Sequence, residues 1–208
     1  MNPYGSCLIL SGAPSAAPLD VGLPEADFVI ACDRGYAYAK ARAVCPDIII
    51  GDFDSYSGDL PRDIPVVRLP VRKDDTDTGY ALRYAVEHGF RDICVAYALG
   101  GRLDHTLANL QSAADAASKG ARVVLMGEDT TVYVLGGGTL RLMVAADVAL
   151  SVFALSDVVT DVCIEGAQYT LDNATLDNKY PLGVSNGAAG EVTIAHREGI
   201  LAVMLCAK

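Results

Sequence analysis

Tryptophan is absent from this chain of 208 residues, and tyrosine and phenylalanine together hold the aromatic fraction at 7%. No apolar run reaches the roughly 18 residues that a membrane-spanning helix needs, so no membrane partner is expected. The segment Met1-Asn2-Pro3-Tyr4 also lacks the basic region of a secretory signal. These absences lead us to expect a cytosolic, cytoplasmic protein.

Positive charge is scarce as well. Lysine and arginine number 16 against 26 acidic residues, which leaves a net charge of -10. Such a chain repels a nucleic-acid backbone unless a basic patch intervenes, and the sequence has no such patch, so no nucleic-acid partner is expected. A small cation or a metal-loaded nucleotide suits this charge better. Hydrophobic residues make up 51% of the chain, which excludes a disordered polymer.

Metal-binding cysteine patterns are missing too. The six cysteines include no Cys-x-x-Cys pair, and the three histidines lie too far apart to complete a zinc signature with them. Most of the cysteines lie in or beside apolar runs, as in Cys7-Leu8-Ile9-Leu10. We interpret them as small buried side chains in a reducing compartment.

The first half of the chain alternates short apolar runs with helical patterns. Ile48-Ile49-Ile50 is a continuous β-branched run, which is typical of a strand buried on both faces. The alternation predicts a mainly parallel sheet covered by helices. The predicted strands are Ser6–Leu10, Asp27–Cys32, Pro46–Gly51, Pro65–Leu69, Ile93–Leu99 and Arg122–Met126, and the predicted helices are Asp33–Ala43, Asp77–His88 and Leu103–Lys119.

From about Asp129 onward no helical period is present. Short strand patterns follow one another, separated by turn signals such as Asp172-Asn173 and Asn186-Gly187. Short strands at regular spacing predict an antiparallel sandwich or barrel. We therefore predict an α/β domain over residues 1–135, with a mainly parallel α/β/α sheet, and a smaller all-β sandwich domain over residues 136–208. The predicted strands of this second part are Thr130–Leu135, Leu140–Val144, Val148–Leu155, Val158–Ile164, Gln168–Leu171, Glu191–Ala195 and Ile200–Leu205.

Aspartates gather where the predicted strands of the first half end. Ligands of open α/β sheets bind beyond the carboxyl ends of the strands, so these carboxylates are candidates for one shared site. Carboxylate oxygens are hard ligands of the kind that Mg²⁺ prefers. The aspartates are Asp33, Asp52, Asp54, Asp74, Asp75, Asp77 and Asp104.

Structural roles compete with that hypothesis at several positions. Asp33 can cap the helix that follows it, and Asp75 or Thr76 can cap the next one. Asp104 falls in the first turn of a helix, where a carboxylate favours the helix dipole. Asp52-Phe53-Asp54 is harder to explain in this way, because two carboxylates two residues apart repel each other unless a cation or hydrogen-bond donors lie between them.

A second element, Gly100-Gly101-Arg102-Leu103-Asp104-His105, follows the predicted fifth strand. Two glycines let the backbone approach a ligand closely, and the start of the next helix offers free N–H groups to an anion. Arg102 is suited to phosphate oxygens, and Lys73 is either a further phosphate contact or a solvated lysine. Ser11-Gly12-Ala13-Pro14 is a plausible nucleotide loop, although it is not a Walker loop. Together with the aspartates, these residues suggest a metal–polyphosphate site.

The motifs of the chain, taken in order, resemble those of the thiamine pyrophosphokinase family. The resemblance spans essentially all 208 residues, and the second and fourth motifs together are highly specific. The motifs are Cys32-Asp33-Arg34-Gly35, Pro46-Asp47-Ile48-Ile49-Ile50-Gly51-Asp52-Phe53-Asp54-Ser55, Lys73-Asp74-Asp75-Thr76-Asp77, Gly100-Gly101-Arg102-Leu103-Asp104-His105 and the later Ser185-Asn186.

The resemblance implies an α/β catalytic domain followed by a β-sandwich thiamine-binding domain. It implies transfer of pyrophosphate from ATP to the thiamine hydroxyl, with Mg²⁺ as cofactor and AMP and thiamine diphosphate as products. It also implies a homodimer with its sites between subunits. Two features depart from the family pattern. Many members carry Asp-Gly-Gly where this chain has Asp33-Arg34-Gly35, and without tryptophan any stacking on thiamine must come from an unidentified tyrosine or phenylalanine.

The resemblance also implies a role for each motif residue. The implied metal ligands are Asp52, Asp54 and Asp77, and Asp33 and Asp104 would complete or orient the same site. Either Asp54 or Asp77 is the candidate proton acceptor. The implied catalytic residues are Asp52, Asp54, Asp77, Arg102 and Asp104. The implied nucleotide contacts are Gly12, Asp33, Lys73, Gly100, Gly101 and Arg102. The implied thiamine contacts are Ser185 and Asn186.

Two other functions compete with this hypothesis. Asp52-Phe53-Asp54-Ser55 after an apolar strand is similar to the Asp-x-Asp nucleophile of haloacid-dehalogenase-type phosphatases, in which Asp52 would be phosphorylated. A non-catalytic thiamine- or nucleotide-binding module is the third possibility, and it would bind ligand without releasing AMP.

Overall fold

The computed structural model describes residues 5–14, 22–54, 56, 58–70 and 75–207, and it has a mixed α/β fold built on a large sheet. In this part of the chain no helix has both the length and the apolar character to cross a membrane. The first half contains β1 (Ser6–Leu10), β2 (Phe28–Cys32), α1 (Gly35–Ala41), β3 (Ile48–Gly51), β4 (Val66–Arg68), α2 (Asp77–Glu87), β5 (Asp92–Ala96), α3 (Leu103–Ser118) and β6 (Arg122–Met126). The second half contains β7 (Thr130–Leu135), β8 (Gly138–Val144), β9 (Val148–Ala154), β10 (Val158–Ala167), β11 (Leu171–Asp177), β12 (Gly183–His196) and β13 (Leu201–Ala207).

Six parallel strands form the first part of the sheet, in the order β4-β3-β2-β1-β5-β6. The chain builds outward from β1 to β4 and then returns to the other side of β1 with β5. The strand order therefore reverses between β1 and β5, and a crevice opens at such a point beyond the carboxyl ends of the strands. We call it the β1–β5 crevice.

Helices cover both faces of these parallel strands. Helices α2 and α3 pack on one face, where Ile48 and Ile50 join their alanines and leucines in a buried cluster. Helix α1 packs on the other face, where Tyr36 and Ala39 meet Ile49. The β-branched run in β3 is thus buried on both faces, as its sequence predicted.

The second half continues the same sheet and adds a second layer. Strand β7 pairs antiparallel with β6, and β13, β9 and the first part of β12 extend the sheet from there. The second part of β12 pairs with β8 and β10, and β11 pairs with β10. A separate buried cluster lies among these strands. Val132, Val134 and Ala202 belong to the buried cluster under α2 and α3, so strands from both predicted domains share one sheet. The predicted domain boundary after residue 135 stays a prediction.

Two predicted strands of the second half differ most from the observed ones. The strand predicted at Gln168–Leu171 is wrong, because β11 begins only at Leu171, and the strand predicted at Glu191–Ala195 is the end of a 14-residue strand, β12. The signals Asp172-Asn173 and Asn186-Gly187 lie inside strands that have irregular register. Such bulges use the same residue types as turns, so local sequence does not distinguish them.

None of the six cysteines, all of which lie in the part of the chain that the structure describes, forms a disulfide, and the reducing compartment stays a prediction. Cys7 and Cys32 are buried, whereas Cys45 is exposed. Burial raises the pKa of the Cys7 thiol to about 12, so that thiol stays protonated and behaves as a small apolar side chain.

Candidate active site

Three carboxylates meet at the ends of β2 and β3. One oxygen from each of Asp33, Asp52 and Asp54 lies within 4.8 Å of the other two. The register that pairs Cys32 with Ile50 puts Asp33 beside Gly51, so Asp33 and Asp52 leave the sheet within one residue of the same level. We call these three residues the acidic cluster. The sequence predicted Asp52, Asp54 and Asp77 as metal ligands, with Asp33 among the aspartates of the same site, and the structure brings Asp33, Asp52 and Asp54 together.

The backbone of the acidic cluster adopts an unusual conformation. Asp33 and Phe53 have φ values of 44° and 60°, and Tyr97, which follows β5, has φ of 56°. Left-handed φ is costly for side chains with a Cβ and is common at functional sites, where the surrounding fold stabilises it. The Asp33 N–H donates to the carbonyl of Ile50 over 3.0 Å. A Cβ at Gly51 would come within 3.1 Å of Asp33, so glycine allows this close approach.

The chemistry of the acidic cluster fits a divalent cation. Asp33 is buried, and the partly exposed Asp52 accepts a 3.3 Å hydrogen bond from the backbone N–H of Asp54. Three carboxylates this close repel each other in the absence of a cation. Their oxygens are the hard donors that Mg²⁺ takes from carboxylates in nucleotide sites.

Asp77 is the first residue of α2 and is not part of the acidic cluster. The thiol of Cys32 donates to the Asp77 carbonyl over 3.7 Å, so the Asp77 backbone lies against the end of β2. The cap of α2 is Thr76, whose hydroxyl accepts from the N–H of Gly79 over 2.9 Å. The metal role of Asp77 stays a prediction, and Thr76 rather than Asp75 is the capping residue.

Asp75 and Asp104 are each paired with an arginine. Asp75 binds Arg83 of α2. Asp104 binds Arg102 through two hydrogen bonds, of 3.1 Å from Nε and 2.5 Å from Nη2. The bond from the Arg102 guanidinium holds the pKa of the Asp104 carboxyl below its usual range. Both side chains are well exposed, at 72% and 62%, so a phosphate could displace Asp104 from the arginine without unburying either group.

The loops after β1 and β5 contact each other at the β1–β5 crevice. Gly100 and Gly101 have φ of 105° and 66°, and a Cβ on Gly101 would come within 2.7 Å of Pro14 in the loop after β1. At Gly12, in the same loop, a Cβ would lie 3.4 Å from the Cβ of Arg34. Glycine is thus needed at position 101, where the two loops pack together, and the Cβ of Arg34, the residue after Asp33, lies beside the loop after β1.

Sequence reasoning missed two residues that hold this loop. Tyr38 of α1 stacks on Tyr97, with ring centroids 4.1 Å apart, and its hydroxyl donates to the Ala13 carbonyl over 3.0 Å. The Ala13 N–H in turn donates to the Tyr97 carbonyl. A tyrosine in a helix rich in alanine and a tyrosine directly after a strand were the available signals, but their contact depends on the strand order.

A cation beside the acidic cluster was missed as well. Arg68 ends β4 directly opposite Gly51 of β3, and its guanidinium lies 5.0 Å from the centre of the Phe53 ring. Such a cation–π contact holds an arginine close to the ring. Arg68 therefore lies beside the residue that separates Asp52 from Asp54. Lys73, the cation that sequence reasoning selected, lies outside the described residues.

Ser185 and Asn186 lie in β12, and the side chain of Asn186 forms two hydrogen bonds within the chain. Its amide oxygen accepts from the Tyr169 N–H over 3.0 Å, and its amide nitrogen donates to the Tyr169 carbonyl over 2.7 Å. Ser185 has φ of 58° and donates its N–H to the Ser151 hydroxyl over 3.0 Å. The two hydrogen bonds between Asn186 and Tyr169 fix the backbone of Tyr169, a residue that is 65% exposed. Sequence reasoning did not identify Tyr169.

One chain does not bring the serine–asparagine pair to the acidic cluster. Along the sheet, eight strand-to-strand steps separate β12 from β3. At about 4.8 Å per step, the two sites lie on the order of 30–40 Å apart along the sheet. A single small ligand cannot contact both within one chain.

Comparisons with known proteins point to one family. A family model described as the thiamin pyrophosphokinase catalytic domain matches residues 21–125, about half of the chain. Thiamin pyrophosphokinase 1 of Caenorhabditis elegans is 27% identical over 151 residues, which cover 68% of this chain and 62% of the worm protein. The aligned stretch therefore spans less than two thirds of that relative.

Solved structures extend the likeness to the whole chain. Thiamin pyrophosphokinase from Geobacillus thermodenitrificans is 27% identical, with a TM-score of 0.79 over 98% of each chain. Thiamine pyrophosphokinase from Bacillus subtilis is 22% identical, with a TM-score of 0.85 over 98% of this chain and 99% of that one, and it shows the same fold. These comparisons give no support to the phosphatase or to the non-catalytic binding module.

Proposed function

The chain belongs to the thiamin pyrophosphokinase family, and we propose that it transfers pyrophosphate from ATP to the hydroxyl of thiamine, releasing AMP and thiamine diphosphate. One observation links this proposed activity to particular residues of the chain. The acidic cluster lies at the carboxyl ends of β2 and β3, beside the glycine-lined β1–β5 crevice, where open α/β sheets bind nucleotides.

Asp33, Asp52 and Asp54 are the residues that would hold Mg²⁺. When bound, the ion would offset negative charge on the phosphate oxygens as the leaving AMP takes up the electron pair. Carboxylates alone would repel ATP, so the proposal requires a cation at the acidic cluster. Asp77, which lies against the end of β2, is proposed as a further carboxylate of the same site.

The chain's own residues bind and orient the phosphates. Gly100 and Gly101 expose backbone next to the start of α3, and Arg102 can exchange its exposed Asp104 partner for a phosphate oxygen. Gly12 and Arg68 are proposed as further contacts on the same edge, and Lys73 is proposed as a further phosphate contact. Attack of the thiamine hydroxyl on the β-phosphorus transfers its proton to an aspartate, for which Asp54 and Asp77 remain the two candidates. Positioning and electrostatics dominate such a reaction.

Thiamine is proposed to bind at β12 of a second copy of the chain. The separation of β12 from β3 supports a homodimer, because the serine–asparagine pair and the acidic cluster can serve one reaction only if two copies contribute them. Each half also exposes apolar side chains suited to burial in such a contact. They are Leu103 and Leu107 on α3, and Tyr169, Tyr180, Leu182 and Val184 around the start of β12.

The two-domain description belongs to the same proposal. Residues 1–135 would form the nucleotide domain and residues 136–208 a sandwich that binds thiamine. The second buried cluster, between β9 and β13 on one side and the layer of β8, β10 and β12 on the other, supports a sandwich of this kind. A cytoplasmic location stays a prediction from the sequence.

The test is incubation of the purified protein with ATP, Mg²⁺ and thiamine, followed by chromatography of nucleotides and thiamine esters. We expect AMP and thiamine diphosphate in equal amounts. ADP with thiamine monophosphate as the stoichiometric products would contradict pyrophosphoryl transfer. A trapped phosphoaspartate at Asp52 would favour the phosphatase, and thiamine binding without any AMP would favour the binding module.

A further inference from the structure

Two buried hydroxyl groups meet beneath the β1–β5 crevice. The Ser11 Oγ and the Thr78 Oγ1 lie 2.6 Å apart, and the two residues are only 3% and 7% exposed. One hydroxyl donates to the other at this distance. The two residues are 67 positions apart in sequence, so the bond is a tertiary contact between two elements.

The bond joins the central strand to the start of α2. Ser11 directly follows β1, and its N–H donates to the Ala96 carbonyl at the end of β5 over 2.9 Å. Thr78 directly follows Asp77 in the first turn of α2. The hydroxyl pair therefore ties the first turn of α2 to both strands that border the crevice.

Helix formation does not require this bond. Thr76 already caps α2 through the N–H of Gly79, and the alanines and leucine of the helix are buried under the sheet. A pair of apolar side chains would pack at the same place without the penalty of burying two hydroxyls. The pair does, however, impose a direction and a length of 2.6 Å that apolar contacts do not impose.

We propose that Ser11 and Thr78 are positioning residues that fix the backbone of Asp77 relative to the acidic cluster. A second contact leads to the same place, because the Asp77 carbonyl accepts from the thiol of Cys32, the residue before Asp33. Asp77 is thus held from β1 through its neighbour Thr78 and from β2 through its own carbonyl. The inference rests on the proposed function, in which Asp77 completes the metal–nucleotide site.

A double replacement separates positioning from simple stability. Ser11→Ala or Thr78→Val alone leaves one hydroxyl buried without its partner, so each lowers the melting temperature. Ser11→Ala with Thr78→Val removes both hydroxyls, and the melting temperature should return to within about 2 °C of the wild type. If the bond has only a structural role, the affinity of the double variant for the metal ion should recover together with its stability. If the bond positions Asp77, that affinity should stay low.

The probe is Mn²⁺, titrated calorimetrically into protein saturated with a non-hydrolysable ATP analogue. Mn²⁺ accepts the same oxygen ligands as Mg²⁺. We expect the double variant to bind Mn²⁺ about tenfold more weakly than the wild type, and Thr78→Ser, which keeps a hydroxyl, to bind it within about twofold of the wild type. The KM for ATP should rise in the double variant while the KM for thiamine does not change.

Ile164→Val is the matched control. Ile164 is buried in the second cluster, in β10, far from α2, so this variant loses stability without touching the crevice. We expect a lower melting temperature and unchanged Mn²⁺ affinity. The proposal is overturned if the double variant recovers both properties. It is also overturned if Ser11→Ala behaves like Ile164→Val, a comparison that remains available should the double variant not fold. Mn²⁺ affinity needs no turnover, so failure of the thiamine assay in the wild type would leave this test intact.

Discussion

Left-handed backbone occurs at non-glycine residues in both halves of the molecule, but it has a different structural effect in each half. In the parallel half, Asp33, Phe53 and Tyr97 have positive φ just after β2, β3 and β5. In the antiparallel half, Asn173 and Ser185 have positive φ inside β11 and β12, where the register shifts. In the first case the strain ends strands and gathers side chains at one edge. In the second case it bends strands that continue.

This contrast shows where each half can carry chemistry. The strand ends of the parallel half meet at one edge, so three carboxylates converge there although 21 positions separate Asp33 from Asp54 in sequence. The bulged strands of the antiparallel half expose single residues along a surface, as with Tyr169 beside Asn186. The converging strand ends of the parallel half concentrate charge at one place. The exposed residues along the antiparallel half suit contact with a flat ligand.

The largest expected effect comes from the acidic cluster. Asp52→Asn and Asp54→Asn remove charge but keep size, and each should lower kcat/KM at least roughly 10²-fold, the scale of losing one major electrostatic contribution. The melting temperature should not fall, because repulsion between the carboxylates is relieved. Asp59→Asn, at an exposed aspartate outside the acidic cluster, is the control. Near-normal turnover of either cluster variant at saturating Mg²⁺ would contradict the metal role.

A smaller and more selective effect is expected in the antiparallel half. Asn186→Ala leaves the Tyr169 N–H and carbonyl without their side-chain partner, so the ring should lose its fixed place. We expect the KM for thiamine to rise about tenfold, the equivalent of one lost hydrogen-bonded contact, with the KM for ATP unchanged. Tyr169→Ala should reproduce this result, because it removes the exposed aromatic ring. Tyr169→Phe should not, because it keeps the ring. A matching rise in the KM for ATP would show that the two halves are not divided by substrate.

Mixed dimers sharpen the comparison by asking whether the halves of two chains cooperate. If Asp52→Asn and Asn186→Ala subunits exchange at random, half of the dimers are hybrids, and each hybrid has one site free of both lesions. The mixture should regain up to about one quarter of wild-type activity at low thiamine. Mass spectrometry of tagged subunits verifies the exchange. If activity then stays at the average of the parents, each chain serves its own site, or Asn186 has only a structural role.

The smallest effect concerns the stability of the antiparallel half. Burial lowers the pKa of His196, whose Nε2 lies 3.3 Å from the Gly199 carbonyl at the end of β12. The unfolded chain then binds a proton more readily than the folded one, so stability falls as the pH drops below about 6.5. Urea unfolding at pH 7.5 and pH 5.5 measures this loss. It should shrink in His196→Gln, and an identical loss in both proteins would assign the effect to other groups.

Much of the parallel half was predictable because its signals are local. The bounds of β1 and β6 agree with the sequence pattern, and the β-branched run of β3 is buried on both faces as predicted. Helix α1 starts two residues late, at Gly35, because Asp33 adopts left-handed backbone and Arg34 becomes the cap. Asp33 therefore does not cap the helix, and its carboxylate lies in the acidic cluster.

The antiparallel half was less predictable because its strands are polar and irregular. Asn186-Gly187 has the composition of a turn, yet it lies within β12, where it pairs with Leu150 and Ala149 of β9. A strand that pairs with one sheet at its start and with another at its end carries no single alternation of polar and apolar residues. The long-range pairing, not the local pattern, keeps this segment extended.

The sequence by itself determined the parallel strands with their helices, the aspartates that follow those strands, and the motifs that identify the family. These features depend on residue type and short spacing. Only the tertiary structure decided that Asp33 joins Asp52 and Asp54, that Asn186 binds the backbone of Tyr169, and that eight strand steps separate the two halves of the proposed site. Strand order and register bring distant residues together, and no local preference of the chain encodes them.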